Sequence, residues 1–229
     1  MMKNSFSHST NRFYFIVAVL AICSIQLCAQ TETGQNMAQY LFPDFTKSRV
    51  KMKVGKDLNL NLNYNTITEG LVFLQNGQFY DVVNQETVDT AYIQNRKFTP
   101  MGGKKMFEVV VDGPIPFFIE NKGIVMAPGK PSAYGGTSEL AASDYISGLN
   151  ISSGYFNLKL PNDYVVKPSP VNWVRIKGNM SDFLNERQFL KLFPEKADQI
   201  KQFIRKSGIK FEKREDIIKL GKYCNELMK

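Results

Sequence analysis

Histidine and cysteine carry much of the catalytic and metal chemistry open to a protein, and this chain spends nearly all of its own in the first 29 positions. His8 is the sole histidine, and Cys23 and Cys28 are two of the three cysteines. Beyond Ala29 only Cys224 remains. No Ser/His/Asp triad, Cys/His pair, zinc site of the His or Cys type, or intrachain disulfide can be built there, so neither metal nor cofactor is expected. Glycosidase-type chemistry needs only two carboxyl groups at a set separation. The 21 Asp and Glu of the chain fall on no identifiable paired pattern. A Ser/Lys dyad uses residue types too common for their coincidence to count. The sequence therefore predicts a protein that is not an enzyme, with a carboxylate-only hydrolase as the remote alternative.

The remaining groups are suited to binding. Asn59, Asn61 and Asn63 alternate along one stretch, with Tyr64 and Asn65 beside them. Amides carry donors and acceptors together, which suits the hydroxyl pairs of a sugar; a solvated strand face accounts for the same row. Trp173 shares a strand face with Val171 and Arg175, either as a partner anchor or as a half-buried core residue. Tyr134-Gly135-Gly136-Thr137-Ser138 resembles a phosphate loop only superficially. No Lys-Ser/Thr follows a glycine at the required spacing, and Pro131 after Gly129-Lys130 removes the helix start that motif needs. An insertion ordered by a partner, with Tyr134 as a contact, is the expectation. Asp89-Thr90-Ala91 matches a short Asp-Thr-small O-glycosylation signal.

Residues 1–12 are polar and contain Lys3 and Arg12 but no acid, and Phe13 to Leu27 is an apolar run the length of a signal-peptide core. It is short for a membrane span. Ala29 stands where signal peptidase would cut. Ile22 before Cys23 and Leu27 before Cys28 argue against a lipoprotein cysteine. Export with cleavage near Ala29 is expected, to periplasm or exterior, and no later segment is apolar enough to span.

Without the two leader cations, 27 Lys and Arg oppose 21 Asp and Glu, and the excess is uneven. Residues 185–229 hold 12 basic and 7 acidic side chains. Lys201, Arg205 and Lys206 are the contacts this suggests, against an envelope protein or an anionic envelope surface. A solvated face of alternating charge, Glu186/Arg187, Glu195/Lys196, Asp198/Lys201 and Glu215/Lys219, is the simpler account. Nucleic acid is not expected, because the basic residues are not interleaved with aromatics.

These groups need a frame. After an N-terminal segment at 30–48, polar from Gln30 to Gln39, Val50, Met52 and Val54 alternate with Arg49, Lys51 and Lys53, and Leu58, Leu60, Leu62 and Tyr64 alternate with asparagines. Period two predicts strands with one buried face. Asn76-Gly77 between Leu71–Leu74 and Phe79–Val83 predicts a type I′ hairpin. Thr90–Ile93, Lys105–Val111, Ile115–Glu120, Tyr155–Leu160 and Val171–Ile176 supply further strands. The β-rich domain is placed at 49–180, interrupted at 127–153 by a Gly/Ser-rich stretch. Residues 181–229 read as helical. Asn185 caps a first helix through Phe193, Pro194 opens a second that Gly208 ends, and a third runs from Arg214 to Met228 with Cys224 on its apolar stripe. The fold class is α+β: an antiparallel β-meander, as a half-open barrel or a sandwich, followed by a bundle of about three short helices.

Several stretches, taken in order, resemble a family of exported Bacteroidota proteins of unknown function. They are Tyr40-Leu41-Phe42-Pro43, Leu62-Asn63-Tyr64-Asn65, Thr68-Glu69, Asp89-Thr90-Ala91-Tyr92-Ile93 and Arg96-Lys97-Phe98. Gly129-Lys130-Pro131 with Tyr134-Gly135-Gly136-Thr137-Ser138 continues the likeness, as do Phe193-Pro194-Glu195-Lys196, Ile200-Lys201, Ile209-Lys210-Phe211, Asp216-Ile217 and Lys219-Leu220. The resemblance implies a β-rich domain with a helical C-terminus and an envelope or secreted location, and carries over no catalytic residue. The function expected is an exported, non-enzymatic binding module. The alternative is a lipid or glycan binder with a half-barrel pocket lined by Leu58, Leu60, Leu62 and Phe73.

Overall fold

The computed structural model describes residues 37–103, 105–126, 130–131, 137–138 and 164–228. The leader, Tyr134, most of the 127–153 stretch and the strand expected over 155–160 lie outside these residues. Fourteen strands run in chain order: β1 (Thr46–Met52), β2 (Leu58–Asn65), β3 (Gly70–Gln75), β4 (Gln78–Asp81), β5 (Val88–Ile93), β6 (Arg96–Met101), β7 (Lys105–Val111), β8 (Phe117–Glu120), β9 (Gly123–Met126), β10 (Lys130–Pro131), β11 (Thr137–Ser138), β12 (Val165–Pro168), β13 (Val171–Ile176) and β14 (Asn179–Phe183). Three helices follow, α1 (Glu186–Lys191), α2 (Ala197–Ser207) and α3 (Arg214–Leu227). Among the described residues no helix is long and apolar enough to cross a membrane.

Ten strands form one antiparallel sheet in the order β14-β13-β8-β7-β6-β5-β1-β2-β3-β4, while β9 with β12 and β10 with β11 make two-stranded ribbons. The α+β meander is thus observed. Asn76 and Gly77 have φ of 52° and 75°, the paired positive values of the expected type I′ turn. Lys177 and Gly178, at 50° and 86°, turn β13 into β14 in the same way. That hairpin is not visible in the periodicity because Asn-Met-Ser-Asp-Phe does not alternate.

Register places Leu58, Val50, Ala91, Phe98, Glu108, Ile119, Asn172 and Phe183 in one cross-strand row. All but Leu58 are buried. Side chains alternate along a strand, so the neighbouring row faces the other way. It reads Asn59, Arg49, Tyr92, Lys97, Val109, Phe118, Trp173 and Asp182.

The inner face is covered twice. Over β7, β8, β13 and β14 the helices pack Phe189, Ile200, Ile204, Ile217, Leu220 and Cys224 against Phe117, Val174 and Phe183. Gly221 lets α3 approach closely, since a Cβ there would stand 2.9 Å from Phe117 Cδ2 and Val111 Cγ2. At the other end the sheet curls until the Glu69 carbonyl accepts a hydrogen bond from Met106 N of β7 at 2.9 Å. It does not close into a barrel. Phe42 enters this curl and packs with Leu62, Tyr64, Leu71, Ile93, Phe98 and Met106. The interior is therefore filled by side chains. Leu62 is fully buried, Leu60 and Phe73 pack against the same cluster, and Leu58 faces solvent at 44 % exposure. The lumen expected between them is a core.

The helix ends follow local chemistry. Asn185 caps α1 by accepting from Gln188 N at 3.0 Å. Pro194 starts a 3₁₀ turn that runs into α2, and Gly208, at φ 61°, ends it.

Candidate functional site

Glu108 sits in the middle of the apolar row with none of its side chain exposed. A carboxylate so placed is tolerable only if cations follow it inward. Two do. Arg96, at the start of β6, donates from Nε to Oε1 at 2.8 Å and from Nη2 to Oε2. Arg214, in the first turn of α3, donates from Nε to the same Oε1 at 2.7 Å. Asn121, just past β8, donates from Nδ2 to Oε2 at 3.2 Å and accepts from Arg96 Nη2 at 3.2 Å. The Arg96 guanidinium also lies 5.3 Å from the Phe42 ring centroid and 5.8 Å from that of Phe98, within cation–π range. A pocket of about 150 Å³ opens beside this cluster, between Arg96, Arg214, Asn121 and Asn172.

A second polar cluster forms where the β2–β3 turn meets the ends of β7 and β8. Lys105 Nζ lies 2.7 Å from Glu69 Oε2 and 2.8 Å from Glu120 Oε1. Trp173 Nε1 donates to Glu120 Oε2 at 3.1 Å. Glu69, at φ 55°, is a buried residue in the left-handed region. Burial raises its pKa, and so does its hydrogen bond to Glu120, with Lys105 opposing. Burial also pushes Glu120 up, but hydrogen bonds from Glu69, Lys105 and Trp173 outweigh it and hold that carboxyl below its ordinary range. The two neighbouring carboxyls are thus shifted in opposite directions, Glu69 up and Glu120 down. The fully buried Tyr64 hydroxyl has no hydrogen-bond partner among the described residues. Burial, then the charges of Glu69, Glu120 and Glu108, drives its pKa far up.

On the outer face a groove of about 260 Å³ is lined by Lys97, Thr99, Asp112, Phe118 and Arg175, among others. Arg175 lies 5.0 Å over the Phe118 ring, and Lys97 pairs with Asp112 at 3.0 Å.

The residues singled out in the sequence do not converge. Asn59 and Asn61 are exposed, but Asn63 is fully buried, so the three amides form no common surface. Asn63 instead binds backbone: Oδ1 accepts from Phe42 N at 3.1 Å and Tyr64 N at 2.8 Å, and Nδ2 donates to Phe42 O at 2.8 Å. It secures the segment that fills the curl. Trp173 shares the outer row with Asn59 but lies six strands away along the sheet. It is half-buried against Phe107, with ring centroids 5.7 Å apart. Thr90, in mid-sheet, is only 6 % exposed, which withholds its hydroxyl from a glycosylating enzyme. Burial pushes the Cys224 thiol up to about 12, away from reactivity. Lys201 is half-buried and Arg205 and Lys206 are exposed on α2, none in an ion pair among the described residues. The alternating charges of the helices lie half-buried or exposed and form none of the four pairs with one another among the described residues, while Lys219 pairs with Asp216 at 3.1 Å.

Sequence reasoning did not select Glu108, Arg96 or Arg214. The available signal was one acid inside Met-Phe-Glu-Val-Val-Val, a stretch apolar on both faces. Compared with known proteins, the chain matches no family model, no curated protein and no solved structure.

Proposed function

We propose that the protein is an exported, non-enzymatic binding module of the cell envelope that docks on an acidic partner or anionic surface through the cationic end of α2. One observation carries this reading. Ile200 and Ile204 hold α2 on the core, while Lys201, Arg205 and Lys206 remain without an ion-pairing acid among the described residues. Two of these cations stand in the last turn, where they also complement the helix dipole. The leader-like residues 1–29 and the resemblance to exported Bacteroidota proteins supply the location.

The test is crosslinking of the tagged protein in intact cells, followed by mass spectrometry of what is attached. Lys201→Glu, Arg205→Glu and Lys206→Glu together should abolish the dominant crosslinks and shift the protein's fractionation while leaving its Tm within a few degrees. Unchanged partners and fractionation in that variant would refute the docking face. Intact mass of protein from the host reads the export component separately, with a mature chain beginning at Gln30 as the expected result.

A further inference from the structure

We infer that the pocket beside Glu108 is a binding site for a small aliphatic carboxylate, held by the guanidiniums of Arg96 and Arg214. This stands whether or not α2 docks on an envelope surface. Two arginines converge on one carboxylate from β6 and α3, so these three groups carry one positive charge more than they need, which Glu215, 3.7 Å from Arg214 and 74 % exposed, offsets only through solvent. Arg214 adds to this by its place in the first turn of a 14-residue helix, where the dipole already favours an anion.

The donors to receive it are present. Arg96 spends Nε and Nη2 on Glu108 and Asn121. Arg214 spends Nε on Glu108 and places Nη1 3.7 Å from Glu215. Nη1 of Arg96 and Nη2 of Arg214 have no partner among the described residues, and both arginines line the pocket. The bonds to Glu108 fix both planes, so an incoming carboxylate meets two oriented donors, one Nη from each guanidinium, and need not order loose side chains.

Size and lining narrow the class. About 150 Å³ admits a small molecule and no polymer, and the remaining walls include Leu41, Ile119 and Pro170, suited to a short alkyl chain. Glu212 stands exposed at the rim. With Glu108 already in place, it opposes a second negative charge and so disfavours a phosphate dianion. Asn172 is held by its Nδ2 bond to Phe211 O at 2.8 Å, which keeps its side chain at the wall.

The measurement is the arginine Nε–Hε NMR signals of the purified chain, titrated with sodium propionate and, at matched ionic strength, with inorganic phosphate. Saturable shifts of Arg96 and Arg214 with propionate, and none with phosphate, are expected. Arg214→Lys keeps a cation beside Glu108 but loses the fixed Nη2 donor, and should weaken propionate binding about tenfold. Leu41→Phe narrows the pocket without touching an ion-paired group, and should abolish binding with the Tm preserved. Linear, unsaturable shifts, an equal response to phosphate, or undiminished binding in Leu41→Phe would each overturn the assignment.

Discussion

A side chain's role here is decided by what its backbone neighbours lack. Asn63 is chemically identical to Asn59 and Asn61, yet it alone meets a chain segment whose Phe42 amide and carbonyl need partners. Asn63→Leu should leave those groups buried and unpaired, costing about 2–4 kcal/mol in urea unfolding, whereas Asn61→Leu should change stability by less than about 0.5 kcal/mol. The sequence shows all three asparagines at period two and cannot separate them, because the discriminating contact lies 21 residues away. The acid pair makes a second residue-scale statement. Glu120, held below its unfolded value, contributes stability that is lost as pH falls through its folded value. Glu69, held above, contributes stability that is lost as pH rises through its folded value. Stability should peak between the two. Glu69→Gln cannot ionise and so removes the alkaline loss. The Tm of this variant relative to the parent should therefore climb with pH across the range where Glu69 ionises. A constant difference between the two curves would show that folding does not raise the Glu69 carboxyl.

Elements were legible wherever local chemistry dictates them. Strict alternation gave β1 and β2, Asn-Gly gave the β3–β4 turn, and Asn185, Pro194 and Gly208 marked the helix ends. Which strand neighbours which was not legible. β5 pairs with β1 and β13 with β8 across long stretches of chain, and no local pattern encodes such partners. The α3–sheet contact is equally silent in sequence, though its geometry is strict. Gly221→Ala gains roughly 1 kcal/mol of helix propensity but forces a methyl to 2.9 Å from Phe117 and Val111. Overpacking costs about 1–3 kcal/mol, so a net loss near 1 kcal/mol is expected in thermal or urea melts. A more stable variant would mean that α3 can lift from the sheet freely. On the same helix Asn225 exchanges two hydrogen bonds with the Ile115 backbone, at 2.9 and 2.8 Å, which fixes its register over the β7–β8 connection.

At the scale of the molecule, two hydrophobic clusters share a single sheet, and Glu108 stands between them with one arginine from each side. Neither cluster can melt without uncovering that carboxylate. Unfolding should therefore be one transition, with Trp173 fluorescence, far-UV circular dichroism and Cys224 thiol exposure reporting a common urea midpoint. Separated midpoints would mean that the curled end and the helical end unfold independently. The route from β4 to β5 has a mechanical consequence. The chain leaves the sheet's outermost strand and re-enters beside β1, four strand spacings away, through residues 82–87 alone. The seven Cα–Cα steps from Asp81 to Val88 reach at most roughly 23–25 Å when fully extended. Four spacings of a flat sheet already require about 19 Å, and the 3₁₀ turn at Gln85–Thr87 shortens the link further. Gln85 Oε1, bonded to Leu71 N at 3.1 Å, ties the link down midway. The connection thus works as a bowstring: its shortness limits how far the sheet can flatten over the hollow that Phe42 fills.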